Sequence, residues 1–409
     1  MKRVVMLLYK DILYDARVQR EAISLAETGM EVTILCLKEY KTNLPCFHGN
    51  INVYRIEVSS KRYKQQLFKD DNSEKSSNKN ENILKKIIRF PVIKFIKDLY
   101  SYNEYYLKCR KILNGMQQDF DVIHCHDLNT LETGVKLSRE FQMKVIYDSH
   151  ELFNEMTGRN KLDRLYGYKL EKKLLKLVDH LIVVNPFIIK VFKEQYNSLP
   201  KSTVIQNIPL YRSEDLNNIK ENYFREKYNL GEDDFLLLYQ GGLDPYRGLE
   251  EIISAMNYLP SHFKLILIGD GRIKENLYQL VREENLLNRV FFHDKVPSNK
   301  ILSYTKQADI GLVMYKNKSK NNYFSTPNKI FEYLLAGIPT VASNHPGKSY
   351  IVKNNQTGIC TEETPEKIAE AVLEIYNNYD FYKNNCLRNA TKYSWEHEKR
   401  KLLELYKLL

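Results

Sequence analysis

The feature that most constrains this chain is a repeated alternation of short, wholly apolar runs with amphipathic helical stretches. Arg3–Tyr9 (RVVMLLY) leads into RVQREAISLAETG, where Val18, Ala22, Leu25 and Ala26 recur at helical spacing and Gly29 closes the segment. Glu31–Leu37 reads as a second strand and INVYRIE as another, while DVIHCH (Asp121–His126) and KVIYDSH (Lys144–His150) bracket a helix at about Leu131–Phe141. HLIVVN and TVIQNIP complete the series. Strands apolar along their whole length are buried on both faces, which indicates a parallel sheet covered by helices on each side. After Pro209 the pattern restarts with FLLLYQGG, KLILIGDG, RVFFHDKV, DIGLVMY and TVAS. The expected architecture is α/β, with two doubly wound Rossmann-like domains spanning residues 1–207 and 208–390. The closing segment 391–409 has no strand after it and is expected to cross back to the first domain. Ligands of such sheets bind beyond the carboxyl ends of the strands, here in the expected cleft between domains.

A length of 409 residues suits two cores, and 43% hydrophobic with 28% charged residues fits a globular protein. The charge is uneven. Residues 61–113 hold fourteen basic against six acidic side chains, a net +8 of the total +11. The stretch 68–82 has little to bury and reads as a flexible loop. Residues 83–113 interleave Lys and Arg with Ile, Phe and Tyr around Pro91. That pattern suits a helix lying on an anionic membrane surface; a helix packed on its own domain with a solvated basic face is the alternative. The clustering gives no nucleic-acid-binding motif, so nucleic acid is not an expected partner. No apolar run approaches the ~18 residues of a membrane span, and the first residues read as a buried strand rather than a signal peptide. Six scattered cysteines without a CxxC pair suggest neither structural zinc nor a disulfide framework.

The passage richest in chemistry is NYFSTPNKIFEYLLAGIPTVAS (Asn322–Ser343). A polar Ser325-Thr326-Pro327-Asn328 loop opens a helix whose free N–H groups favour a phosphate, with Lys329 beside it. Glu332, one turn inside, offers two acceptor oxygens to a pair of ribose hydroxyls; a plain surface charge is the competing reading. In HCHD, His124 and His126 fall on one face of a strand by its period of two. A metal would need a third ligand, and none lies near in sequence. Asp15 is placed to cap the following helix. Arg17 faces the cleft or is an exposed helix charge.

These pieces resemble, in order along nearly the whole chain, the family 4 glycosyltransferases. They are DARVQREAISLAETGMEVTIL, HCHDLNTLETG, VIYDSHEL, VDHLIVVN, VIQNIP, LLYQGGLDPYRGLEEII, LILIGDG, ADIGLVMY and PNKIFEYLLAGIPTVAS. The resemblance implies a GT-B fold and a retaining, metal-independent enzyme without a cofactor. It would move a sugar from a nucleotide-diphosphate donor, UDP first among the bases, to a saccharide or lipid-linked acceptor. The implied setting is bacterial surface polysaccharide such as capsule or lipopolysaccharide, on the cytoplasmic face of the plasma membrane. By motif, Glu332 is the second glutamate of the family's E-x7-E pair and holds the donor ribose, but Phe324 stands where the first would be. Gly242 replaces an expected Arg, whereas Arg247 fits the position of a diphosphate-binding Lys and can grip phosphate bidentately. Gly241 and Gly242 allow close approach of the donor, and Gly269 falls near the nucleotide base. His126 takes the place that touches the reacting sugar or acceptor hydroxyl. Asp15, Arg17 and His150 fall on the acceptor side. Phe324 and Gly242 also keep open a non-catalytic sugar-nucleotide-binding subunit, and an epimerase or hydrolase is the other rival.

Overall fold

The structure, a computed structural model, describes residues 1–40, 42–59, 91–210, 219–297 and 299–409. Most of the basic stretch expected at 61–113, including 83–90 of the expected surface helix, lies outside the described residues. The chain divides into two compact units, one of 1–206 with 399–409 and one of 207–398.

The first unit is built on a sheet of order β3-β2-β1-β4-β5-β6-β7. Its strands are β1 (Arg3–Leu8), β2 (Glu31–Leu37), β3 (Ile51–Ile56), β4 (Val122–His126), β5 (Lys144–Ser149), β6 (His180–Val183) and β7 (Lys201–Val204). The second holds β8 (Phe235–Gln240), β9 (Phe263–Ile268), β10 (Val290–His293), β11 (Ile310–Val313), β12 (Thr340–Ser343) and β13 (Gly358–Thr361), in the order β10-β9-β8-β11-β12-β13. Neighbouring strands run parallel throughout both sheets. Val4, Val5, Met6 and Leu7 are all fully buried, as are Leu265, Ile266 and Leu267, because helices cover both faces. By contrast β3, at a sheet edge, alternates exposed and half-buried positions.

In each sheet the strand order reverses once, between β1 and β4 and between β8 and β11. Chains diverge there, and the carboxyl ends of those strands leave a crevice for ligands. His126 ends β4 beside Leu8 of β1; Gln240 ends β8, and Tyr315 follows β11.

The helix expected near Leu131–Phe141 runs over Leu128–Phe141, a turn earlier. Pro91, read as an interruption, opens the described part of the helix Pro91–Gly115, and the residues before it lie outside the described ones. The final helix, Trp395–Leu408, returns to the first unit, where Lys399 meets Glu27 and the Tyr406 hydroxyl lies 2.9 Å from His124 Nδ1. No helix among the described residues is long and apolar enough to cross a membrane.

Candidate functional site

Each unit concentrates charge at its switch point. In the first, Asp15 caps the helix Ala16–Ala26 through the Val18 N–H, and that helix carries Arg17 and Glu21 on its buried side. Of the two readings of Arg17, the exposed helix charge is excluded: the residue is 2% exposed. Its Nε and Nη2 donate to the two oxygens of Asp148 at 2.9 and 3.0 Å, and Nη1 donates to the Ile205 carbonyl at 2.9 Å. Glu21 lies 3.0 Å from the same guanidinium. This fork is the geometry in which Arg and carboxylate bind best.

His124 and His126 stack with ring centres 4.3 Å apart, as the strand period requires. His126 Nδ1 sits 3.1 Å from His150 Nε2, which is itself 3.1 Å from Asp148. Burial would push His150 down, but Asp148 and Asp127 outweigh it and raise it to about 10. Burial and the neighbouring His124 push His126 down to about 3, so it is neutral. The single hydrogen on His150 Nε2 lies between the Asp148 carboxylate and His126 Nδ1, each 3.1 Å away, and this contact leaves the other ring nitrogen of His126, Nε2, outside it. That Nε2 is buried and meets no hydrogen-bond partner among the described residues. Burial outweighs the neighbouring Arg17 and raises Glu21 to about 8. Asp148 stays well below the carboxylate range, because Arg17 and His150 outweigh its burial.

The third ligand that the sequence did not offer beside the histidines is supplied by distant segments. Glu21, His124, His126 and Asp148 bring ligand atoms within 4.8 Å of one another. Arg17, however, already lies against both carboxylates and supplies the positive charge a cation would bring.

The second unit gathers Gly241, Arg247, Lys329 and Glu332. The loop after β8 is pinned to the end of β11: Lys316 N–H donates to the Tyr246 carbonyl at 3.0 Å. Gly248 at φ +70° packs so closely that a Cβ would lie 1.8 Å from the Met314 carbonyl oxygen. Arg247 is thereby laid over Tyr315, 4.2 Å from the ring centre. Lys329, from the first turn of the helix Asn328–Ala336, runs inward to 3.8 Å from the Tyr239 ring centre and 5.6 Å from that of Tyr315. Among the described residues no acceptor meets its Nζ. Burial, then Arg247, hold it well below a lysine's ordinary value. A Cβ on Gly241 would lie 3.1 Å from that Nζ, so the glycine leaves the amine room.

Glu332 accepts from the Gln240 amide, which Thr305 holds from its other end at 2.8 Å. Thr326 donates to the Gly347 carbonyl at 2.6 Å and Ser325 to that of Asn322 at 3.1 Å, which fixes the loop before Pro327 and Asn328. Gly242 accepts from Tyr239 at 2.8 Å. Gly269 is explained locally: a Cβ there would strike the Gly241 carbonyl oxygen at 1.9 Å.

The sequence reading missed Lys348. Fully buried in the helix Pro346–Val352, it donates to the carbonyls of Asn322 and Ser325 at 2.5 and 3.2 Å and lies 5.1 Å from the Tyr315 ring centre. Burial, then Arg247, lower it to about 7. Its only signal was a lysine at apolar spacing with Ile351 and Val352. Glu21 had the same signal, four residues after Arg17 on the stripe of Val18 and Leu25.

The sequence matches the family described as Glycosyltransferase Family 4 over residues 17–208, and Glycosyl transferases group 1 over residues 220–393. A glycosyltransferase of Methanocaldococcus jannaschii is 25% identical over 314 residues, 71% of this chain and 75% of that protein. An Escherichia coli O-antigen biosynthesis glycosyltransferase, WclY, is 27% identical over 242 residues, 56% of this chain and 62% of its own. Among solved structures, sucrose-phosphate synthase from Thermosynechococcus elongatus superposes with a TM-score of 0.73 at 17% identity, covering 100% of this chain and 99% of that one. Anabaena HepE in complex with UDP and glucose superposes at 0.72, with 14% identity and 100% of both chains covered.

Proposed function

This chain belongs to the family 4 glycosyltransferases of GT-B fold, and on that premise we propose a retaining enzyme that takes a sugar from a UDP-linked donor. The acceptor is a saccharide or lipid-linked saccharide of a bacterial surface polysaccharide, handled at the cytoplasmic face of the membrane. The observation that carries the donor reading is Lys329, a buried amine with no acceptor among the described residues, beside Arg247 at the β8/β11 switch point. Such a group suits a diphosphate. The complex of HepE with UDP and the O-antigen role printed for WclY support the same choice.

In the reaction the acceptor oxygen forms its bond to the anomeric carbon on the face from which the nucleotide departs. The bond from that carbon to the phosphate oxygen breaks, and its electron pair leaves with the diphosphate. The acceptor's proton passes to the departing phosphate oxygen. Charge therefore builds on the diphosphate, where Arg247, Lys329 and the N–H groups at the start of the helix Asn328–Ala336 stabilise it. Glu332 binds the ribose. Neutral His126, 3.1 Å from His150, meets an oxygen of the sugar or acceptor through Nε2; Asp15, Arg17 and His150 stand on the acceptor side.

Incubating UDP-sugars with and without saccharide acceptors tests this reading. Transfer that needs acceptor, with kcat/KM lowered by about a hundredfold in Arg247→Ala, is the expected result. Unchanged kcat/KM in that variant removes Arg247 from the role. Phe324 and Gly242 favour one other reading, a subunit that binds sugar-nucleotide without turnover; calorimetric binding with no transfer to any acceptor would establish it.

A further inference from the structure

The strand β8, FLLLYQ, is apolar until its last residue, and that residue is a glutamine. By the strand's period of two, Gln240 continues the row of Leu236 and Leu238, which pack in one apolar cluster with Leu302, Ile330 and Phe331. It is 2% exposed. A primary amide in such a place needs a partner at each end, because a buried donor or acceptor left unmet is costly. Gln240 finds one on each of two helices. Its Nε2 donates to Glu332 Oε2 of the helix Asn328–Ala336, and its Oε1 accepts from Thr305 Oγ1 of the helix Ile301–Thr305 at 2.8 Å.

The direction of this chain of bonds is set at its far end. Thr305 has one hydroxyl hydrogen and two acceptors at 2.8 Å, Gln240 Oε1 and the Ile301 carbonyl. With Nε2 turned to Glu332, two oxygens face each other at Thr305 unless that hydrogen lies between them. Turning the amide over would release the hydrogen to Ile301 but set Oε1 against the Glu332 carboxylate, which can only accept. Thr305 and Glu332 therefore fix one orientation of the amide, and the amide in turn fixes Glu332. The helix that carries Glu332 is itself tied to β8 by the next residue: Tyr333, fully buried, donates to the Leu238 carbonyl at 3.2 Å.

The amide also prevents a competing contact. Glu332 follows Lys329 by three residues on one helix, a spacing at which carboxylate and ammonium ordinarily pair. Lys329 Nζ instead runs to the face of Tyr239, 3.8 Å from the ring centre. With Glu332 bonded to Gln240, the amine is kept for an anion that arrives from outside.

We propose that Gln240, oriented by Thr305, is a positioning residue for the donor: it holds Glu332 toward the ribose hydroxyls and away from Lys329, and so sets a preference for a ribonucleotide over its 2′-deoxy counterpart. This role rests on the nucleotide-sugar reading of the site.

The test is calorimetric titration of the full chain with UDP and with 2′-deoxy-UDP. The unaltered protein should bind UDP about tenfold more tightly, the size of one hydrogen bond to a charged group. Gln240→Leu should bring that ratio below about threefold, as Glu332 turns to Lys329. Because a leucine at this depth can also disturb folding, a second variant leaves the glutamine in place. Thr305→Val removes only the hydroxyl and should lower the ratio likewise, whereas Thr305→Ser, which has the hydroxyl, should retain it. The ratio is taken within each variant, so a change in stability alone does not move it. A ratio kept in both Gln240→Leu and Thr305→Val would overturn the proposal and leave the amide a packing group. Equal binding of the two nucleotides by the unaltered protein would also overturn it, by removing Glu332 from the ribose. Absence of UDP binding in the unaltered protein would instead overturn the nucleotide-sugar reading beneath it.

Discussion

The two switch points bury charge in opposite ways. Around β4 every strong charge has its counter-charge in the same unit: Arg17 faces Asp148, and His150 faces Asp148 and Asp127. Around β8 and β11, Lys329 and Lys348 are buried with no carboxylate at ion-pair distance among the described residues, and aromatic rings and carbonyls are their surroundings. A closed network stabilises itself once formed and fixes its side chains. A lopsided one costs folding energy that an anionic ligand can return. The first arrangement suits a rigid support, the second the anionic ligand proposed for it.

Three experiments bear on that contrast. The largest effect is expected from Asp148→Asn, which strips Arg17 and His150 of their shared counter-charge. It should cost about 3–5 kcal/mol, read as a lower denaturant midpoint for the first unit; a loss below about 1 kcal/mol would mean the network is not closed. Lys329→Met should do the reverse. Folding stability should hold or rise, while UDP binding weakens by about tenfold to a hundredfold, the loss of one hydrogen bond to a charged group. Equal destabilisation in the two variants would erase the distinction.

The smallest effect concerns pH. Lys348 sits at about 7 in the free protein, and a bound diphosphate favours its charged form. UDP binding should therefore take up a proton, and affinity should fall by about tenfold between about pH 6 and pH 8. Lys348→Met should flatten that dependence. The sign for folding is opposite. Between about 7 and the usual lysine value of about 10.4 only the unfolded chain holds the proton, so the free protein gains stability as pH rises.

Much of the framework was legible in the sequence, because strands buried on both faces are written as unbroken apolar runs. The pairing of His124 with His126 followed from strand period alone, and the Asp15 cap from its place before a helix. Arg17 was not legible. Its partner Asp148 lies 131 residues away, and nothing local distinguishes a guanidinium buried in a fork from one in water. Lys348 was missed for a related reason, since the carbonyls that hold it belong to a turn around Asn322 and Ser325. Gly269 was read toward a ligand, yet the Gly241 carbonyl is enough to require it. Local pattern gives the elements; the partners of buried charges are a product of topology.

The returning helix has a consequence for synthesis. Tyr406 seals His124, and Lys399 ties to Glu27, so the first unit draws on segments nearly four hundred residues apart. Domains commonly fold in order as the chain emerges from the ribosome. Here residues 1–206 emerge first but must wait for the whole second unit before their last wall arrives. In the meantime His124 Nδ1 lacks its hydroxyl partner. The polypeptide thus couples the maturation of its earliest sheet to the completion of its latest.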